Sequence, residues 1–185
     1  MLLTDFDIWA TSLLNTLSAR SALLDDAIVV VTKAGVPVLV MAVALLWWSR
    51  RDRQNTRHAV VAAGLSFVGG LLLNQLLLLF VHRVRPYDAG VTHLIISPSA
   101  DWSFPSDHAT AAVAITAAFL PNRDRQRGFM LLAAAGLICF SRVFVGTHYV
   151  SDIVGGATTG IVAAVTLHQL YRRGTRFDTL ITGLL

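Results

Sequence analysis

The residues with the clearest chemical capacity are Arg142, His148 and Asp152, in the segment Ser141-Arg142-Val143-Phe144-Val145-Gly146-Thr147-His148-Tyr149-Val150-Ser151-Asp152. His148 and Asp152 are four apart, so on a helix they share a face and can hydrogen-bond. A carboxylate on one imidazole nitrogen fixes the tautomer and makes the other nitrogen a better nucleophile or base. Helix capping by Ser151 or Asp152 is the structural alternative. It accounts for Asp152 but not for Arg142 and His148 together. Arg142 and Arg85 are permanent cations, and guanidinium groups match phosphate oxygens bidentately. Pro86 restrains the backbone at Arg85. Either arginine alone is also explained by snorkelling to a membrane interface.

Phe104-Pro105-Ser106-Asp107-His108 supplies a further set. Pro and Ser favour helix starts, and a helix N-terminus binds anions through its free amides. Ser106 can add a hydroxyl, and His108 can give a proton to a leaving oxygen. A simple helix cap followed by a surface histidine is the bland alternative. Zinc is the competing use of His108, His148 and Asp152. Two flanking arginines, however, repel a cation and attract an anion. Phosphoryl transfer by positioned cations and a histidine nucleophile fits better, and neither metal nor cofactor is expected.

These polar groups sit in an apolar chain. Of 185 residues, 55% are hydrophobic and 14% charged, too few charges for an ordinary soluble domain. Several stretches approach the ~20 apolar residues that cross a bilayer. The expected fold is all-α: one polytopic membrane bundle over residues 1–185, with five or six helices crossing or dipping into the bilayer. All eleven acidic residues are Asp. Solvent-exposed helices usually carry Glu, so these helices face lipid or each other. The single cysteine, Cys139, excludes an intrachain disulfide and reads as a filler thiol in an apolar run.

The net charge of +4 does not point to nucleic acid, because of where the charge lies. Arg50, Arg51, Arg53 and Arg57 form one cluster, Arg123, Arg125 and Arg127 a second, and Arg172, Arg173 and Arg176 a third. All follow or separate apolar runs, so the positive-inside rule places them in the cytoplasm.

Residues 1–20 predict an amphipathic helix lying in the interface, with Leu2, Phe6, Trp9, Leu13 and Leu17 opposite Asp5, Thr11, Ser12 and Asn15. There is no basic leader or small-residue cleavage site, so a cleaved signal peptide is not expected. Span one runs from about Ala27 to Trp48, kinked near Pro37, with Lys33 snorkelling and Trp47 and Trp48 in an aromatic belt. Span two, Ala59 to Val81, has Gly64, Gly69 and Gly70 for close helix approach. Its Asn74 and Gln75 read as interhelical hydrogen-bonders or, alternatively, as catalytic groups. Span three covers Ala109–Leu120, span four Gly128–Ser141, and span five Ile153–Tyr171 with the small-residue pattern Gly156-x-x-x-Gly160.

Five crossings put the N-terminus outside and the C-terminus inside. Three polar islands, His82–Asp88, Asp101–His108 and Ser141–Asp152, then share the outer side. Spans three and four offer only 12–14 apolar residues before His108 and Arg142. At ~1.5 Å per residue that is roughly 20 Å of a ~30 Å core. The site should therefore lie below the outer surface, within reach of a lipid headgroup.

Three motifs carry a family resemblance. Ser141-Arg142-x5-His148-x3-Asp152 resembles the third signature of the type 2 phosphatidic-acid phosphatase superfamily. Pro105-Ser106-Asp107-His108 resembles the second, commonly Pro-Ser-Gly-His, and Arg85-Pro86 the end of the first, commonly Lys-x6-Arg-Pro. The resemblance implies that His148 is a nucleophile forming a phosphohistidine and that Asp152 is its partner. It implies His108 as general acid, with Arg85, Arg142, Ser106 and nearby amides holding the phosphate, without a metal. Two positions depart. Leu78 occupies the lysine position, with Arg83 or His82 as substitute donors or no substitute required, and Asp107 replaces the glycine. With Asn74-Gln75 and Asp101-x-Ser103 upstream, both departures resemble the bacitracin-resistance branch of undecaprenyl-diphosphate phosphatases.

That branch implies a polyprenyl diphosphate substrate in a bacterial inner membrane, with the site facing the periplasm or exterior. Another lipid phosphate, such as phosphatidate or phosphatidylglycerol phosphate, is the alternative substrate. A non-catalytic phospholipid-binding or transport protein is the alternative class. A soluble vanadate-dependent haloperoxidase shares the signatures but not the apolar spans. A homo-oligomer is compatible with the sequence.

Overall fold

The computed structural model describes residues 2–121 and 125–183. Arg123 of the second basic cluster, and the side chains of Leu2 and Arg125, lie outside what it describes. Among the described residues the secondary structure is all helical: α1 Leu2–Asn15, α2 Ala22–Leu45 with a short 3-10 turn Leu46–Trp48, α3 Arg53–Leu78, α4 Asp107–Phe119, α5 Arg125–Phe144, α6 Val150–Leu170 and α7 Arg176–Thr182. Four segments are long and apolar enough to cross a bilayer: 22–48, 53–78, 126–144 and 150–170.

The expected third crossing, α4, has 13 residues and is the central element. Ala109, Ala111, Ala112, Ala114 and Ile115 are buried, and α4 packs against α3, α5 and α6. A 13-residue helix is about 20 Å long. It is surrounded by longer helices, which buries it on nearly all sides and explains its small residues. Gly156 and Gly160 of α6 lie close against the start of α4. A Cβ at Gly156 would lie 2.4 Å from the Ser106 carbonyl oxygen, and one at Gly160 2.7 Å from that of Thr110. The small-residue pattern thus fits α6 to the start of α4. On α3 only Gly70 serves this purpose, its Cβ position lying 2.9 Å from Thr110; Gly64 faces open space.

Helix ends differ from the hydropathy reading. α2 begins five residues earlier, with Asp25 in its first turn, where the helix dipole favours acidic groups. It runs unbroken through Pro37. α3 begins within the first basic cluster. The short α7 was not expected. Thr175 caps it by accepting from the Asp178 N–H, and the buried Asp178 carboxylate also accepts from Tyr171 and meets His58 Nδ1 at 2.8 Å. Arg127 donates to Ser49 and Thr56, and Arg57 to the Thr182 carbonyl. These bonds gather the start of α3, the start of α5 and α7 at one end of the bundle. Cys139 is half-buried.

α1 is amphipathic, and its polar side faces the protein. Asp7, Thr11, Asn15 and Ser18 are buried, whereas Phe6, Trp9 and Leu13 are exposed. An outward apolar face suits a helix lying in a lipid interface.

Candidate active site

The three polar islands meet at the end of the bundle away from α7. The segment after α3, the loop before α4, the start of α4 and the α5–α6 junction surround a cavity of about 110 Å³. Arg85, Asp107, His108, Arg142 and His148 line it, together with Leu78, Ser99, Asp101, Trp102 and Pro105. Leu78 brings no donor to the wall.

His148 lies between α5 and α6 and is buried. Its Nδ1 is 2.8 Å from the Ser103 carbonyl oxygen. A carbonyl only accepts, so the proton is on Nδ1 and the lone pair on Nε2. Nε2 lies 3.5 Å from Arg85 Nη1. Asp152 Oδ2 stands 3.6 Å from Nδ1, close enough for charge but too long for a hydrogen bond. Burial, with Arg142 and Arg85 nearby, depresses the His148 pKa, although Asp152 pulls it upward. The lowered pKa favours the neutral imidazole, with its lone pair on Nε2.

Asp152 is completely buried and fully satisfied. Its Oδ2 accepts from Ser103 Oγ at 2.5 Å and from the Tyr149 N–H at 2.8 Å, and its Oδ1 accepts from Arg83 at 2.6 Å. It therefore caps α6 as well as facing His148.

The two arginines of the cavity are held differently. Arg85 donates to Asp101 Oδ1 at 2.8 Å, to the Asp101 carbonyl at 3.0 Å and to the Thr147 carbonyl at 2.9 Å. Arg142, in the last turn of α5, donates through Nη1 to Thr32 Oγ1 at 3.1 Å. Thr32 in turn meets Ser141 Oγ at 3.0 Å. Arg142 Nε has no protein partner despite its burial, and neither has Ser106 Oγ. Such orphans cost about 1–3 kcal/mol each unless a ligand satisfies them. Ser106 is the residue before α4, and its hydroxyl does not cap its own helix. Arg142 lines the cavity, so its free Nε suits an oxyanion there, whereas Ser106 is wholly buried between the lining residues Pro105 and Asp107 without lining the cavity itself.

Asp107 is positioned by Asn74, whose Nδ2 donates to Asp107 Oδ1 at 2.7 Å and to Thr110 Oγ1 at 2.9 Å. Asn74 thus bonds between helices. Arg83, expected as a substitute phosphate donor, does not line the cavity. Its guanidinium donates to Asp152, to Ser151 and to Asp7, each at 2.6 Å, and lies 3.8 Å over the Tyr149 ring. With two carboxylates against it, it is engaged behind Asp152. His82 packs beside Trp102. Thr32 and Asp7 are site-supporting residues that spacing does not single out, and Asp101 and Ser103, part of the upstream pattern, carry no assigned role there. Among the described residues, no group of three or more His, Cys, Asp or Glu side chains is placed to hold a metal ion.

Residues 59–176 match the PAP2 superfamily, and the chain belongs to that family. It is 36% identical over 146 residues to the undecaprenyl-diphosphatase BcrC of Bacillus subtilis (strain 168), covering 79% of this chain and 74% of that protein. It is 30% identical to a putative undecaprenyl-diphosphatase, YbjG, of Escherichia coli (strain K12), covering 75% and 71%. Its fold is similar to the crystal structure of a transmembrane PAP2-type phosphatidylglycerolphosphate phosphatase from Bacillus subtilis, with a TM-score of 0.71, 22% identity, and coverage of 95% of this chain and 89% of that one. The chain is a multi-pass membrane protein.

Proposed function

We propose that this PAP2 phosphatase hydrolyses undecaprenyl diphosphate to undecaprenyl phosphate and inorganic phosphate. The observation that carries the chemistry is the His148 imidazole, with Nδ1 on a carbonyl and Nε2 in the same cavity as Arg85 and Arg142. The extended likeness to two undecaprenyl-diphosphatases carries the substrate.

In this reading Arg85, Arg142 and Ser106 hold the terminal phosphate. His148 Nε2 attacks phosphorus, a phosphorus–nitrogen bond forms, and the bond to the bridging oxygen breaks. The electron pair leaves with the lipid monophosphate, which His108 can protonate. Water, relieved of a proton by His108, then attacks the phosphohistidine and releases phosphate and free His148. An anhydride leaving group is already a stable anion, so little acid assistance is required. Asp152 steadies the cationic imidazole formed in between.

The reading also places the protein in a bacterial inner membrane with the cavity toward the periplasm or exterior. The basic ends support this: Arg50–Arg57, Arg127 and Arg172–Arg173 belong to the opposite end of the bundle. The test is release of inorganic phosphate by purified protein from a lipid panel: undecaprenyl diphosphate, phosphatidate and phosphatidylglycerol phosphate. A preference for the polyprenyl diphosphate is expected. Equal or better turnover of a monoester would overturn the substrate assignment.

A further inference from the structure

Asp7 does not line the cavity, yet one guanidinium separates it from the carboxylate beside the nucleophile. Its Oδ2 accepts from Arg83 Nη2 at 2.6 Å, and Arg83 Nη1 donates to Asp152 Oδ1 at 2.6 Å. Asp7 Oδ2 also accepts from Ser151 Oγ at 2.5 Å, and its Oδ1 from the Ser151 N–H at 2.9 Å. One turn along α1, Thr11 Oγ1 accepts from the Val150 N–H at 3.0 Å. A turn further, Asn15 donates to the carbonyls of Phe144 and His93 at 2.9 and 3.0 Å. Residues 7, 11 and 15 share one helix face. That face grips both sides of the segment bearing His148, while Phe6, Trp9 and Leu13 point away.

We propose that Asp7 is a positioning residue for the reaction: acting through Arg83, it sets the orientation and effective charge of Asp152 against His148. The inference rests on the histidine-nucleophile reading above. When Nε2 bonds to phosphorus the imidazole becomes a cation, with its Nδ1–H toward Ser103 and Asp152. The charged and titratable groups around it are Asp152 of α6, Arg142 of α5, His108 and Asp107 of α4, and Arg85 and Asp101 of the loops, with Arg83 behind Asp152. Arg83 left alone would neutralise Asp152 and oppose the new cation. Asp7 offsets Arg83, so the Asp152 charge remains available to the imidazole. Asp152 is wholly buried, where such charge is weakly screened.

The test compares Asp7→Asn, Arg83→Gln and the double variant with wild type and Asp152→Asn, using undecaprenyl diphosphate. Asp7→Asn keeps an oxygen for the Ser151 N–H, so capping of α6 survives. It is expected to lower kcat about tenfold with KM within about twofold, the range for members of one polar network. Its acid limb should move to lower pH by about half a unit, and that of Arg83→Gln to higher pH by a similar amount. The double variant should be more active than Asp7→Asn, because the uncompensated cation has gone.

A merely structural clamp would change the yield or unfolding temperature and leave both pH limbs in place. Unmoved limbs, or losses that multiply in the double variant, would overturn the proposal. If Asp7→Asn does not accumulate, the upward shift in Arg83→Gln and the retention of activity in Asp7→Glu decide the question in the same way. Silence of wild-type protein on every lipid sinks the underlying reading and this inference with it. An active wild type with an unaltered Asp7→Asn sinks the inference alone.

Discussion

Nδ1 of His148 is bonded to the main-chain carbonyl of Ser103 at 2.8 Å, a contact shorter than its 3.6 Å approach to Asp152. The tautomer is therefore set by backbone, which substitution cannot remove. Asp152 contributes its charge and, through Ser103 Oγ and the Tyr149 N–H, the placement of the loop. In the Ser-His-Asp triad, amidation of the Asp costs about 10⁴ in kcat because the imidazole adopts the wrong tautomer. Here Asp152→Asn is expected to lose only about 10²-fold in the rate of phosphoenzyme formation, since Nδ1 remains protonated. A loss of 10⁴ in single-turnover measurements would mean that Asp152 sets the tautomer after all.

Arg142 is expected to be indispensable. Removal of one charged transition-state donor typically costs ~3–4 kcal/mol, or roughly 10²–10³ in kcat. Arg142→Ala should lose at least that much, and a loss below about tenfold would contradict its role. Thr32→Val tests the support beneath it. Loss of one hydrogen bond worth about 1 kcal/mol should lower kcat about fivefold without unfolding the bundle. Unchanged kinetics in that variant would show that Arg142 does not depend on α2.

The pH dependence follows from the depressed His148 pKa. Attack requires the neutral imidazole. A pKa lowered in the folded chain keeps that form populated below the ordinary value of about 6.5. The acid limb of log kcat/KM should therefore fall below 6.5. The same shift has a sign for stability. This group opposes folding only where the unfolded chain would take up its proton, so its contribution is full above about 6.5 and is lost as pH falls below it. An acid limb at or above 6.5 in the wild-type enzyme would contradict the assigned cause.

Gly156 should tolerate no side chain. Its Cβ would lie 2.4 Å from the Ser106 carbonyl oxygen, which is backbone and cannot swing aside. Gly156→Ala should destabilise the bundle by about 1–3 kcal/mol and depress kcat by shifting Ser106. Gly64→Ala, at a position open to space, should do neither. Thermal unfolding in one detergent, read beside phosphate release, compares the two.

The parts of this site that were legible in the sequence share a property. Arg85, His108, Arg142 and His148 are expensive groups beside long apolar runs, so their presence and spacing were informative. Thr32, Ser103 and Asp7 carry no such mark. A lone Thr in span one reads as filler, and Ser103 acts partly through a carbonyl that every residue possesses. Asp7 is one of several polar residues of an amphipathic helix, and only the fold shows that this polar stripe docks on the protein. Arg83 belongs to the His82–Asp88 island, but its partners Asp152 and Asp7 are distant in sequence and only the fold brings them to it. The helix ends drifted for a related reason: hydropathy trims charged first turns such as Asp25 on α2 and Arg53 on α3. The capping pair of Thr175 and Asp178 could have revealed α7.

The central claim is that His148 Nε2 becomes bonded to phosphorus. The most direct measurement is acid- and base-quenched single turnover with substrate labelled in the terminal phosphate, followed by mass-spectrometric mapping of the labelled peptide. The account predicts an acid-labile, base-stable phosphate on His148 that forms before phosphate release and is absent in His148→Ala. Turnover that persists in His148→Ala, or label carried by any other residue, would contradict it.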